Sequence, residues 1–100
     1  MPKKIRPSIV FTPDKCSIDG CCCDYNLEPH EIFFGTANRE KSIEDKMVSY
    51  LCRRHHTGYA EAVHENREND LQLKLKGQKI WEETYGDRNA FIKRYGKSWL

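Results

Sequence analysis

The apolar residues of this chain follow two rhythms. In the first half they come in short bursts between polar, proline- and glycine-containing stretches. From about Glu65 onward they recur three and four residues apart. Residues 47–51 (MVSYL) are β-branched and aromatic and predict a strand. A second short strand is expected around residues 31–34, ended by Gly35, and another over residues 9–12. Residues 36–45 read as an irregular connection in which Ser42-x-x-Asp45 can cap a helical turn. Residues 57–63 read as a glycine-containing loop or an irregular helix. In the second half, a row of Leu71, Leu75 and Trp81 adjoins one of Leu73, Ile80 and Tyr85. This predicts a long helix that buries the Leu71, Leu75 and Trp81 stripe, is weakened at Gly77, and is followed by Gly86. Asp87 is placed to cap a last short helix carrying Phe91, Ile92 and Tyr95. Gly96 ends that helix, and Trp99 and Leu100 can fold back onto it.

The order is therefore arm, cysteine knuckle, strand, strand, Cys/His turn, long helix, short helix, which is an α+β class. One hundred residues make one domain, and 38% hydrophobic against 32% charged residues leaves a small core that needs a staple. A multidomain enzyme and a doubly wound cofactor fold are excluded by size. No stretch approaches the roughly 18 to 20 apolar residues of a membrane span. No basic start followed by an apolar run marks a secretory leader, so a cytoplasmic protein without membrane contact is expected. Residues 1–15 hold three of the four prolines and four basic residues and read as a basic arm, with the domain over 16–100. The net charge of +2 permits nucleic-acid binding without arguing for it.

The five cysteines change the picture. An odd number, clustered, in a chain without a leader reads as metal ligands before disulfides. Cys52-x-x-His55 is one ligand pair for a structural zinc. Cys16-x4-Cys21 is the matching pair, with Cys22 and Cys23 as alternatives to Cys21. All four histidines lie between positions 30 and 64. Once His55 is taken, His30, His56 and His64, with Glu31, remain for a second, catalytic-type divalent cation. Arg39, Arg53 and Arg54 flank these residues and are the candidate phosphate contacts, together with Lys3, Lys4 and Arg6 of the arm and Lys41. Lys74, Lys76 and Lys79 read as a solvated helix face. Trp81, Trp99, Phe91 and Tyr95 read as core.

The run from His30-Glu31-Ile32-Phe33-Phe34-Gly35-Thr36-Ala37-Asn38-Arg39, through Tyr50-Leu51-Cys52-x-x-His55-His56, to Val63-His64-x-Asn66 carries a resemblance. It resembles the compact HNH (His-Me finger) nuclease-like proteins of phages and prophages, in the group related to the RecA-dependent recombination-enhancement nuclease. Asp70-x-x-Leu73-Lys74, Gln78, Glu82 and Tyr95-Gly96-Lys97 are similar to the same group, so the likeness covers residues 16–100.

The resemblance implies a zinc-stabilised ββα-metal core and metal-dependent hydrolysis of DNA phosphodiester bonds, with Mg, Mn or Zn as the working ion. It also implies a phage origin and a link to recombination through a RecA-type protein. Carried over by position, His30 is a metal ligand of the first strand, Glu31 the general base, and His56 the helix ligand. The other registration makes His30 the base and puts Pro29 in the ligand place. Glu31 stands where the family usually has histidine. Lys46 and Met47 stand where its central Asn belongs, and Asn38 and Asn66 are the nearest replacements. The competing reading keeps the fold as a non-catalytic zinc-binding module for DNA or a recombination protein. A third is a zinc-stabilised structural protein.

Overall fold

In a computed structural model, which describes residues 6–56 and 62–100, β1 (Glu28–Glu31) pairs antiparallel with β2 (Val48–Leu51). The register sets Glu28 opposite Leu51, Pro29 opposite Tyr50, His30 opposite Ser49 and Glu31 opposite Val48. All four residues of β2 are buried, as its composition predicts. β1 begins three residues earlier than expected. Ile32 still donates its amide to Met47, but at Phe33 the ladder is replaced by a side chain. The Ser42 hydroxyl accepts from the Phe33 amide at 3.1 Å and donates to the Phe33 carbonyl at 2.7 Å. With its backbone satisfied in this way, the chain bends and both Ile32 and Phe33 turn into the core.

Ser42 lies inside α1 (Arg39–Glu44), a helix that replaces the expected irregular connection. Its role is this internal clasp, not a cap. The expected strand over residues 9–12 is also absent. Residues 6–11 instead run beside β2, with the Ile9 amide on the Lys46 carbonyl, the Ser8 hydroxyl on the Val48 carbonyl, and both backbone groups of Arg6 on the Tyr50 hydroxyl. They cover an edge that would otherwise stand open to pairing. Lys3, Lys4 and residues 57–61 of the expected loop lie outside the described residues.

The long helix is present as α3 (Arg67–Thr84), and the Asn66 side chain caps it by accepting from the Asn69 amide at 3.0 Å. Its phase differs from the one expected. Leu73, Gly77, Gln78 and Trp81 are its buried residues, whereas Leu71 and Leu75 are only half-buried. Gly77 decides this. A Cβ there would lie 3.3 Å from Ile32 and 3.4 Å from Phe33, so the missing side chain is what lets the helix approach the segment just after β1 along the Leu73–Gly77–Trp81 line.

The last helix, α4 (Arg88–Tyr95), is built as expected. Asp87 accepts from the Ala90 amide, and Gly96 closes the helix at φ 96°. Phe91 and Tyr95 are buried, and Trp99 folds back to within 5.1 Å of the Phe33 ring, while Leu100 stays exposed. Asp45, just after α1, ties these parts together. One of its oxygens accepts from Trp81 Nε1 at 2.8 Å, Arg94 Nε at 2.6 Å and the Tyr95 hydroxyl at 2.7 Å. Burial, and then this carboxylate, push the Tyr95 phenol far above its ordinary range.

The architecture is α+β: a two-stranded antiparallel sheet with helices packed around it. No helix among the described residues is long and apolar enough to cross a membrane. Leu73→Ala should cost about 2 to 5 kcal/mol, as for a fully buried leucine, and Leu75→Ala clearly less. Urea denaturation of the two variants checks the order, and equal losses would return the helix to the phase expected from its apolar rows.

Candidate metal centres

Cys16 opens a turn closed by its own amide on the Cys23 carbonyl and by the Cys21 amide on the Ile18 carbonyl. Gly20 supplies the positive φ of 85° that this turn requires. Cys52 leaves β2 and starts the single turn α2 (Arg53–His56), where its carbonyl accepts from both His55 and His56. The two segments meet. The sulfurs of Cys16, Cys21 and Cys52 and a ring nitrogen of His55 all lie within 4.8 Å of one another.

The separations are 3.9 Å between the sulfurs of Cys21 and Cys52, 3.6 Å from Cys16 Sγ to His55 Nδ1, and 3.3 Å from Cys52 Sγ to the same nitrogen. Tetrahedral zinc, with Zn–S near 2.3 Å and Zn–N near 2.0 to 2.1 Å, spaces two sulfurs by about 3.8 Å and a sulfur and a nitrogen by about 3.6 Å. These three separations match tetrahedral zinc, and the remaining pairs of the set lie within 4.8 Å, so the donor set could hold a zinc ion. Cys22, which is exposed, and the half-buried Cys23, whose thiol donates to the Tyr25 carbonyl, stand outside the cluster, and no cysteine is in a disulfide.

Burial pushes the Cys52 thiol up to about 12 and raises Cys16 as well. Burial also acts upward on Cys21, but the Cys23 amide and the neighbouring thiols outweigh it and leave Cys21 below its ordinary value. Three thiols packed this closely resist ionising together, and a divalent ion among them reverses that preference.

A second cluster lies on the other side of α2. Consecutive residues of a helical turn diverge by about 100°. His56 accordingly points away from His55 and meets His30 of β1 and His64, which precedes α3. One ring nitrogen from each lies within 4.8 Å of the others. The ring centroids are 5.5 Å apart for His30–His56, 5.3 Å for His30–His64 and 5.9 Å for His56–His64. His30 is buried, and its Nε2 has no hydrogen-bond partner among the described residues. A buried imidazole nitrogen left unpartnered is costly and unusual, and a cation among these rings would satisfy it. Burial, followed by the charges of His56, His64 and Lys74, pulls His30 down to about 3. Burial also lowers His56, against the opposing pull of Glu28. Neutral imidazole is the form that binds metals.

Around this cluster the remaining expected residues separate. Glu31 is not among the gathered ligand atoms; its carboxylate lies 3.9 Å from Arg39 Nε, and its charge reaches His56. Arg39 is exposed, as are Arg53 and Arg54, which border a groove shared with Cys21, Cys22 and Tyr25 on the side of the thiols. Asn38 donates to the Tyr95 carbonyl and Asn66 caps α3, so both have structural work.

Sequence reasoning passed over one residue beside this cluster and placed another in the wrong surroundings. Glu28 lies 3.8 Å from His56 Nδ1. It sits two positions before His30, hence on the same strand face, which is the signal that finds it. Lys74 is not part of a solvated face: its side chain is 12% exposed and bonded to Asp70 at 2.8 Å, whereas Lys76 and Lys79 are exposed as expected.

Purified protein should hold zinc at the thiol-rich cluster, and a strong chelator should abolish its cooperative melt. Cys21→Ser should lose that zinc and most helical circular dichroism, while Cys22→Ser keeps both; metal analysis and a thermal melt decide. A chain that melts cooperatively after verified zinc removal would show that its core suffices alone. No protein-family model, curated protein or solved structure matches this chain, so its function is argued from the two clusters and what surrounds them.

Proposed function

We propose that this chain is a metal-dependent DNA endonuclease of HNH type, built on a zinc-stabilised ββα-metal core. The observation that supports it most is the split of one helical turn. His55 faces the thiols, while His56 converges with His30 and His64 on a second point. That convergence favours the registration with His30 as a ligand over the one with His30 as a base.

A Mg, Mn or Zn ion held by the three imidazoles would supply Lewis-acid stabilisation of the scissile phosphate and of the leaving 3′ oxygen. The chain's own residues do the rest. Glu28, on the Nδ1 side of His56, orients that ring and leaves its other nitrogen for the ion. Glu31 takes the proton from the attacking water. Arg39, Arg53 and Arg54 hold backbone phosphates. The residues that carry the family resemblance add a phage origin, a cytoplasmic site of action and a RecA-type protein as partner to this reading.

One observation favours the second reading, a zinc-binding module that binds DNA or a recombination protein without cutting. The family's central Asn has no substitute, because Asn38 and Asn66 are both committed to backbone hydrogen bonds.

The experiment is a cleavage assay on single- and double-stranded DNA with Mg²⁺ or Mn²⁺, with and without RecA-type filaments. His56→Ala should abolish divalent-dependent cleavage while retaining the structural zinc. Glu31→Gln should slow cleavage by about 100-fold or more if Glu31 is the base. Glu28→Gln should act mainly through weaker ion binding. Absence of cleavage in every condition, with the folded protein binding DNA, would select the module.

A further inference from the structure

Lys74 stands beside the imidazole cluster, belongs to neither ligand set, and has no part in the reaction described above. Three contacts fix its ammonium. Asp70 Oδ2 accepts from it at 2.8 Å, the Phe34 ring lies under it at 4.3 Å, and the Trp99 ring is 5.3 Å away. Phe34 is also the wall of the imidazole cluster, 4.9 Å from the His64 ring and 5.5 Å from the His30 ring. The ammonium and the three imidazoles therefore share one aromatic side chain. Lysine ordinarily keeps its head in water, and an exposed i,i+4 ion pair contributes little to stability. Here the head is drawn down against two rings, next to groups arranged to receive a cation.

That placement opposes cation binding taken alone. The positive charge of Lys74 sits on the Phe34 ring that also walls the His30 and His64 rings, and it repels a cation brought among them. A divalent ion at the imidazoles would feel the same repulsion. The two positive charges become compatible when an anion lies between them. Asp70 cannot fill that role, because one of its oxygens is engaged with Lys74 and the other is buried without a partner among the described residues. It anchors the ammonium instead. An ammonium has three N–H donors, so with one on Asp70 and its charge over the Phe34 face it still has donors to offer.

We propose that Lys74 is a phosphate-binding residue that grips a non-bridging oxygen of the phosphate presented to the imidazole cluster. This rests on the reading of that cluster as a divalent-metal site. The oxyanion is shared by a DNA phosphodiester and by free phosphate, and the two are distinguished by the probes.

The test uses the full zinc-loaded chain, wild type against Lys74→Met, which keeps the unbranched stem over Phe34 and removes the charge. Calorimetry measures Mn²⁺ binding alone. It then measures inorganic phosphate and a thymidine dinucleotide phosphodiester binding to the Mn²⁺-loaded protein. Lys74→Met should bind Mn²⁺ about threefold more tightly, since a repelling charge is gone. It should bind the phosphate probes about tenfold more weakly or worse, since a charged hydrogen bond is lost. Lys74→Arg should restore phosphate binding.

Opposite movement of the two affinities separates this role from a structural one, which would move neither or weaken both together. If Lys74→Met does not fold, Lys74→Gln replaces it in the same measurements. A stronger loss for the dinucleotide than for inorganic phosphate assigns the site to a phosphodiester, and the reverse order assigns it to free phosphate. Unchanged phosphate affinity in the Mn²⁺-loaded variant overturns the role of Lys74 and leaves the metal site standing. A wild-type chain that binds no Mn²⁺ at the imidazoles, with or without phosphate, overturns the metal reading and this inference together.

Discussion

The turn of helix after β2 is the constraint on which the rest of the site depends. Four residues cannot hold a helix by themselves, because nucleation costs more than one turn of hydrogen bonds returns. The Cys52 carbonyl fastens this turn at its start, and the gathering of Cys52 and His55 with Cys16 and Cys21 fastens it through side chains. Once His55 is directed at the thiols, the direction of His56 follows from helix geometry. The thiol-rich cluster thus orients a residue with which it makes no contact. A structural metal there would therefore bear on the second cluster as well as on stability.

β1 supplies the other half of the imidazole cluster, and its position depends on contacts made well away from it. His30 lies in the strand, but the strand's end is set by the Ser42 hydroxyl holding both backbone groups of Phe33. Phe33 in turn packs between Phe91, Tyr95 and Trp99 from the C-terminal helix and tail. α3 closes over this arrangement at Gly77, and Asp45 pins α3 and α4 to the end of α1 through three donors on one carboxylate oxygen. A polar chain with a small core achieves rigidity here through a few fully used polar groups. Removing any of them leaves buried donors unpaired, which costs more than the hydrogen bond itself contributes.

These polar clasps explain what was legible in the sequence and what was not. β2, α3 and α4 carry their own signals: a β-branched run, a long apolar periodicity, and an Asp cap followed by a closing glycine. The Cys52 and His55 pair was legible because ligand spacing is a local property. The choice of Cys21 over Cys22 and Cys23 was not, since it depends on how the knuckle meets α2. β1 was displaced by three residues because Ile32, Phe33 and Phe34 have strand composition, and nothing local reveals that a serine nine residues away replaces the ladder. The phase of α3 was misread because the apolar rows favour Leu75, while the deciding residue is a glycine whose value is the absence of a side chain. Glu28 and Lys74 look like solvated charges until the strand face and Phe34 place them against the imidazoles.

The two clusters differ in a way that bears on their chemistry. The first offers three soft sulfurs and one imidazole nitrogen, four donors that can complete a tetrahedron and leave no position open, as structural zinc sites do. The second offers three imidazoles and no thiol, which on the proposed reading leaves coordination positions for water and a phosphate oxygen. Its burial is graded as well. His30 is at the floor, His56 is half-buried and His64 is exposed, so the open side faces solvent at His64. Burial at the floor keeps His30 neutral, and the carboxylate of Glu28 beside His56 would work against the repulsion that the Lys74 ammonium imposes on a cation entering the cluster. One acidic and one basic side chain thus flank the same set of rings from opposite strand and helix origins. On the proposed reading, that charge arrangement suits a site that admits a metal ion and an anion together.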